Sequence, residues 1–236
     1  MKLYIMNINF QENFFQIKTF RLRNRKLSVK KKNIIEFLWP LIGLNIAEDC
    51  NSVKKIFQKS VPVILEIGFG FGESLIHFAK LYKDVQFLGI EVYIPGICFC
   101  LKKIYKNNLN NIKIIHLDAI LFLKNYATNI SFSVINIFFP DPWPKNKHYK
   151  RRMLQSNIIY LLLQKLIIQG ILHIVTDSAS YAKNIIKILD YISGVECVTK
   201  DFQSYYLEKN NFFTRFKQKA NIKKSKIYEI IYKKVF

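Results

Sequence analysis

The stretch Val63-Ile64-Leu65-Glu66-Ile67-Gly68-Phe69-Gly70-Phe71-Gly72-Glu73-Ser74 constrains the fold of this chain more than any other. A short apolar run carrying one acid is followed by glycine at every second position, then by a helix start. An apolar run without alternation suits a strand buried on both faces, as in a parallel sheet. Gly68, Gly70 and Gly72 permit a sharp turn with positive φ where it is needed, and let a ligand approach bare backbone. A helix opening at Glu73 points its free N–H groups and positive dipole end back into that turn. Strand, glycine loop and helix together make a nucleotide-type cofactor site.

The rest of the chain supplies the sheet that such a strand needs. From Val61 onward strands and helices alternate, as a doubly wound α/β fold requires. Strands are predicted at Val63–Ile67, Val85–Val92, Ile112–His116, Phe132–Phe139 and Ile171–Thr176. Helices are predicted over Glu73–Tyr82, Pro95–Lys106, Ala119–Tyr126, a segment centred on Tyr160, and Tyr181–Tyr191. β character returns near Val195–Thr199 and Ile227–Val235, giving seven strands with an antiparallel C-terminal strand. Residues 46–236 read as a single domain, preceded over 1–45 by a basic extension with a short helix, Asn33–Trp39, stopped at Pro40. A chain of 236 residues suffices for one such domain and its core.

The glycine spacing and Glu66 bear on the cofactor. A dinucleotide site reads G-x-G-x-x-G and cradles a pyrophosphate. Here the spacing is G-x-G-x-G, and a carboxylate two residues before Gly68 repels a pyrophosphate but suits a cation. The pattern E-x-G-x-G-x-G resembles that of class I S-adenosylmethionine-dependent methyltransferases, whose cofactor carries a sulfonium and an amino group. Ligands of such sheets sit at the carboxyl ends of the strands, and this chain has an acid at each: Glu66, Glu91, Asp118, Asp141 and Asp177. Glu91 is placed to accept hydrogen bonds from a ribose diol. Asp118 is placed for the adenine edge, and equally as the N-cap of the helix that follows.

Composition limits the partner. The 37 Lys and Arg against 16 Asp and Glu give a formal charge of +21, which favours a polyanion, nucleic acid ahead of a membrane surface. Lys18, Arg21, Arg23, Arg25, Lys26, Lys30, Lys31 and Lys32 form an arm free of acids, either solvated or in contact with phosphate. An apolar half and 15% aromatics exclude wholesale disorder. Cys50, Cys98, Cys100 and Cys197 show no zinc spacing and no disulfide framework, as expected of a metal-free cytoplasmic protein. The first ten residues lack the apolar core of a signal peptide, and Ile158–Leu172 is too short to span a bilayer, so no membrane association is expected.

The substrate is read from Phe138-Phe139-Pro140-Asp141-Pro142-Trp143-Pro144 and the basic run behind it. Three prolines stiffen the loop around Asp141 and Trp143. Lys145 to Arg152 then carries five Lys or Arg plus His148. Positive charge at a helix N-terminus opposes the dipole, so it is expected to serve a phosphate backbone instead. Trp143 is read as either a base-stacking or a packing residue.

F-F-P-D-P-W-x-K-x-x-H-x-K-R-R, with L-E-I-G-F-G-x-G before it and Thr176-Asp177 after the fifth strand, resembles the bacterial tRNA (guanine-N7)-methyltransferase family of TrmB type. The likeness runs from F-R-x-R at Phe20 and Trp39-Pro40 to T-R-F at Thr214. It implies methylation of N7 of guanosine 46 in the tRNA variable loop, by a monomer or homodimer. It implies cofactor acids at Glu66, Glu91, Asp118 and Asp141, with Asp141 also catalytic. Substrate contacts are implied at Lys145, Asp177, Thr214, Arg215, Phe216 and Lys217. RNA contacts are implied at Lys147, His148, Tyr149, Lys150, Arg151 and Arg152. The family has an acid where this chain has Lys217. The chemistry agrees: guanine N7 already exposes a lone pair, so no general base is required of His77, His116, His148 or His173. Two other readings stand beside this one: another class I nucleobase methyltransferase, and an RNA-binding protein that kept the fold without the activity.

Overall fold

The computed structural model describes residues 19–20, 27–46, 61–127, 132–198 and 226–236. Within them a seven-stranded sheet runs in the order β3-β2-β1-β4-β5-β7-β6. Its strands are β1 Val63–Ile67, β2 Gln86–Ile90, β3 Ile112–Ile115, β4 Phe132–Phe138, β5 Leu166–Thr176, β6 Val195–Cys197 and β7 Tyr228–Lys234. The first five pair in parallel, and β7 pairs antiparallel to both β5 and β6. Helices α1 Val29–Ile42, α2 Glu73–Leu81, α3 Ile94–Lys106, α4 Ala119–Asn125, α5 Ser156–Gln164 and α6 Ala179–Asp190 surround it.

β1 explains its own composition. All five of its residues are buried because both faces are covered. Val63, Leu65 and Ile67 join Phe122, Leu162, Tyr181 and Ile185 on one side. Ile64 faces the other way, among Leu38, Leu75, Phe78, Ile97 and Leu101. Order reverses where β1 lies between β2 and β4, which fixes the carboxyl ends of these strands as the open crevice.

Three local expectations need correction. The predicted stop at Pro40 does not occur; α1 continues to Ile42 with the proline inside it. Pro40 sits in the last turn, so its missing N–H costs only the bond to the Glu36 carbonyl, and both residues are exposed to water. The Gly43 N–H then closes the helix on Trp39 O at 2.7 Å. α1 contributes Ile35, Leu38, Trp39 and Ile42 to the core and lies against α3.

The fifth strand is longer than predicted, opening at Leu166. Its register jumps from Phe132↔Leu166 to Val134↔Ile171, and exposed Ile167, Ile168 and Gln169 bulge out, Gln169 at φ 65°. The apolar run Ile158–Leu172 is therefore a helix and a strand joined at Lys165. The basic cluster is a 3₁₀ helix of its own, Asn146–Arg151, set before α5 rather than at its start. Among the described residues no helix is long and apolar enough to cross a membrane.

Candidate active site

The glycine loop leaves β1 by continuing its ladder, Gly68 N–H donating to Ile90 O at 2.8 Å. Gly68, Gly70 and Gly72 then take φ of 71°, 57° and 72°, the left-handed region that a Cβ disfavours. Among the described residues, side chains at Gly68 or Gly70 would meet nothing within 4 Å, so the backbone there borders open space. On the far side α3 comes so close that a Cβ on Gly96 would lie 2.1 Å from Gly70 O. A bare backbone on both segments lets α3 brace the loop without filling it.

Two carboxyl groups stand below this loop. Glu91 is buried and accepts three backbone N–H groups: Gly70 at 2.7 Å on Oε2, Val92 at 2.7 Å and Tyr93 at 2.9 Å on Oε1. It thereby fixes the loop to the end of β2, with lone pairs remaining for hydroxyl donors. Glu66 is only 3% exposed, and among the described residues no backbone amide is seen donating to it. Burial pushes its pKa from 4.5 up to about 8; Ser74 beside it acts against the rise and Glu91 adds to it. Ser74 Oγ and Asn136 Oδ1 are buried without a hydrogen-bond partner among the described residues. Asn136 is the register partner of Glu66 on β4. Sequence reasoning overlooked Asn136, although a lone amide within F-S-V-I-N-I-F-F was a visible signal.

The remaining strand-end acids differ in exposure. Asp118 is the N-cap of α4, its Oδ1 accepting from Ile120 N at 2.8 Å and Leu121 N at 3.0 Å. It is half-buried at the mouth of β3. Asp141 and Asp177 are exposed, just beyond the ends of β4 and β5, where Phe138 and Val175 are register partners.

The loop carrying Asp141 is held under strain. Phe139 and Trp143, at φ 51° and 41°, bracket Pro140-Asp141-Pro142 in the left-handed region, unusual for large side chains. Phe139 N–H donates to Val175 O at 2.7 Å. Trp143 is 4% exposed and donates Nε1–H to Thr19 O at 3.2 Å, so it is a packing residue and presents no face for base stacking. Of the basic cluster, Lys145, Lys147, Lys150 and Arg151 are exposed, with Arg151 5.0 Å over the Trp143 ring. His148 and Tyr149 are half-buried. Arg152, read from sequence as an RNA contact, is 2% exposed with its guanidinium turned inward, so it is no surface cation. Thr214, Arg215, Phe216 and Lys217 lie outside the described residues.

Comparison with known proteins gives this arrangement its family. A family model described as "Putative methyltransferase" matches residues 60–230. The tRNA (guanine-N(7)-)-methyltransferase of Buchnera aphidicola subsp. Baizongia pistaciae is 37% identical over 94% of this chain and 91% of its own length. That of Shigella boydii serotype 4 is 31% identical over the whole of both chains. The chain belongs to the bacterial tRNA (guanine-N7)-methyltransferase family. Among solved structures, an antibiotic-related methyltransferase superposes with a TM-score of 0.51 over 78% of this chain and 92% of its own, at 16% identity, which bears on the fold alone.

As a methyltransferase of this family the chain uses S-adenosylmethionine, and the crevice fits it. The open glycine backbone can take the cofactor's close approach. A carboxyl raised by burial, with the Ser74 hydroxyl beside it and the unpartnered Asn136 Oδ1 at the same level of β4, suits a cationic amino group. Glu91 and Asp118 remain at the ends of β2 and β3 for the nucleoside part. Among the described residues no group of three or more His, Cys, Asp or Glu is arranged to hold a metal.

Proposed function

We propose that this chain methylates N7 of guanosine 46 in the variable loop of tRNA, in the cytoplasm. The observation that carries the reading is the Pro140–Pro142 segment, bracketed by Phe139 and Trp143 in strained left-handed conformations. It holds an exposed Asp141 beside the glycine crevice, next to the exposed cations Lys145, Lys147, Lys150 and Arg151. The names of the relatives, each a tRNA (guanine-N(7)-)-methyltransferase, support the same substrate.

Bound S-adenosylmethionine would supply a methyl group on a sulfonium centre, the breaking S–C bond leaving a neutral thioether product. Glu66, Glu91 and Asp118 bind and orient. The basic 3₁₀ helix takes the phosphate backbone, which brings the variable loop to the crevice without reading its sequence. Asp141 holds the donor edge of the guanine so that the N7 lone pair faces the methyl carbon at roughly 3 Å, a placement that accounts for several kcal/mol of the barrier. As the bond to N7 forms, positive charge moves onto the purine, and the Asp141 carboxylate offsets it. No proton leaves N7, so no base is needed. His173 is buried against Glu229 at 2.7 Å, away from the crevice mouth.

The test is methyl transfer from labelled cofactor to unmodified tRNA, followed by mild reduction and aniline cleavage at N7-methylguanosine. A cut in the variable loop is expected. Asp141→Ala is expected to lower the rate at least about a hundredfold while tRNA affinity stays within a few-fold. Cofactor binding without tRNA methylation would leave the fold and discard the substrate; full activity of Asp141→Ala would remove its role.

A further inference from the structure

The second arginine of the basic cluster is built into the protein. Arg152 Nε donates to Pro142 O at 2.8 Å, and Nη2 donates to Ser180 Oγ at 3.0 Å. Its guanidinium stands 3.7 Å from the ring centre of Tyr149 and 4.8 Å from that of Tyr181. Tyr181 is itself fully buried and its hydroxyl accepts from Leu154 N at 2.9 Å. One planar fork therefore ties the loop of Asp141 to the first turn of α6, which begins two residues after Asp177. Such a fork needs the rigid, delocalised geometry of arginine; a lysine would keep the charge and lose the paired bonds.

We propose that Arg152 is a positioning residue for methyl transfer: it holds the Pro140–Pro142 segment, bracketed by strained Phe139 and Trp143, and so Asp141, against the first turn of α6. Pro142 O is the acceptor next in the chain to Asp141, between two residues in costly left-handed conformations. Without the fork the segment relaxes and the Asp141 carboxylate moves away from its working place. Phosphate binding falls to the exposed cations of the cluster alone. The inference rests on the N7 reading of the site.

Three variants test it with intact protein and unmodified tRNA: Arg152→Lys, Arg152→Gln and Ser180→Ala. Arg152→Lys is expected to lower kcat about ten- to a hundredfold with KM for tRNA changed less than about threefold, because geometry rather than attraction is lost. Arg152→Gln should leave the slope of log Kd against log salt where it was, whereas loss of a phosphate contact lowers it by about one. Ser180→Ala removes the second arm of the fork at an exposed position and keeps the assay informative if the arginine variants fail to fold. It should lower kcat a few-fold, and combining it with Arg152→Lys should add little, as for groups sharing one bond. Wild-type kcat in Arg152→Lys, a salt slope lowered in Arg152→Gln, or wild-type kcat in Ser180→Ala would each overturn the assignment. A wild-type protein that methylates no tRNA would overturn the N7 reading itself, a result separate from any of these.

Discussion

Glu66 shows how one residue joins fold and function through its proton. The unfolded chain releases it near pH 4.5, and the folded chain holds it to about 8 because the carboxyl is buried. Between those values the folded state binds more protons than the unfolded one. Stability from this group is therefore greatest below pH 4.5, falls as pH rises toward 8, and levels off beyond. Glu66→Gln keeps the shape and removes the titration. The ligand-free wild type is expected to lose several degrees of Tm relative to that variant between pH 5 and pH 8. Parallel profiles would mean that Glu66 is ionised in the folded protein. A cationic amino group seated beside Glu66 reverses the preference, so cofactor binding near neutral pH is expected to release a proton. Calorimetry in two buffers of different ionisation enthalpy reads that release, and buffer-independent heats would contradict it.

At the scale of elements, Asn111 does what no strand or helix propensity records. Its buried side-chain NH2 shares its two hydrogens among three carbonyls, Ala79 at 3.1 Å, Tyr82 at 3.0 Å and Val85 at 3.1 Å. It closes the C-terminal end of α2 and aims the chain into β2, the strand that delivers Glu91. Asn111→Ala removes this donor from all three carbonyls, of which Tyr82 O keeps the Val85 N–H, and is expected to cost about 1–3 kcal/mol, measured by denaturant unfolding. A cost under about 0.5 kcal/mol would mean that other groups or water take over the carbonyls. The same contrast explains what was legible in the sequence. β1, the glycine loop and the start of α2 were legible because apolar runs, glycines at positive φ and strand-end acids are local signals. Pro40 misled because its cost depends on where in a helix it falls and on the solvent at Glu36. The bulge before Ile171 left no trace in an apolar run that a helix or a strand would satisfy equally. Arg152 looked like its neighbours Lys150 and Arg151, since composition records charge and says nothing of the ring or carbonyl that a side chain will meet.

For the whole molecule, a formal charge of +21 is a long-range attraction to any polyanion, and it must be separated from contacts made at one place. Each phosphate neutralised releases counterions, so the number of contacts appears as the slope of log Kd against log salt. Lys147, Lys150 and Arg151 are exposed on the 3₁₀ helix behind Asp141. Lys80, Lys83 and Lys124 are equally exposed, but sit at and just beyond the C-terminal ends of α2 and α4, the opposite end of the sheet from the crevice. Changing either set to alanine removes the same charge. Field alone would make the two triple variants alike. With contacts at the 3₁₀ helix, the first triple variant is expected to lose about one unit of slope per phosphate abandoned and to bind tRNA more weakly at every salt concentration. The second should keep the wild-type slope. Fluorescence anisotropy of labelled tRNA between 50 and 200 mM salt spans the range over which such slopes are resolved. Equal slopes in the two variants would make the cluster a solvated face and leave the +21 charge as the whole of the attraction. Unequal ones would place the RNA backbone on the same side of the sheet as Asp141, where a base in the crevice requires it to be.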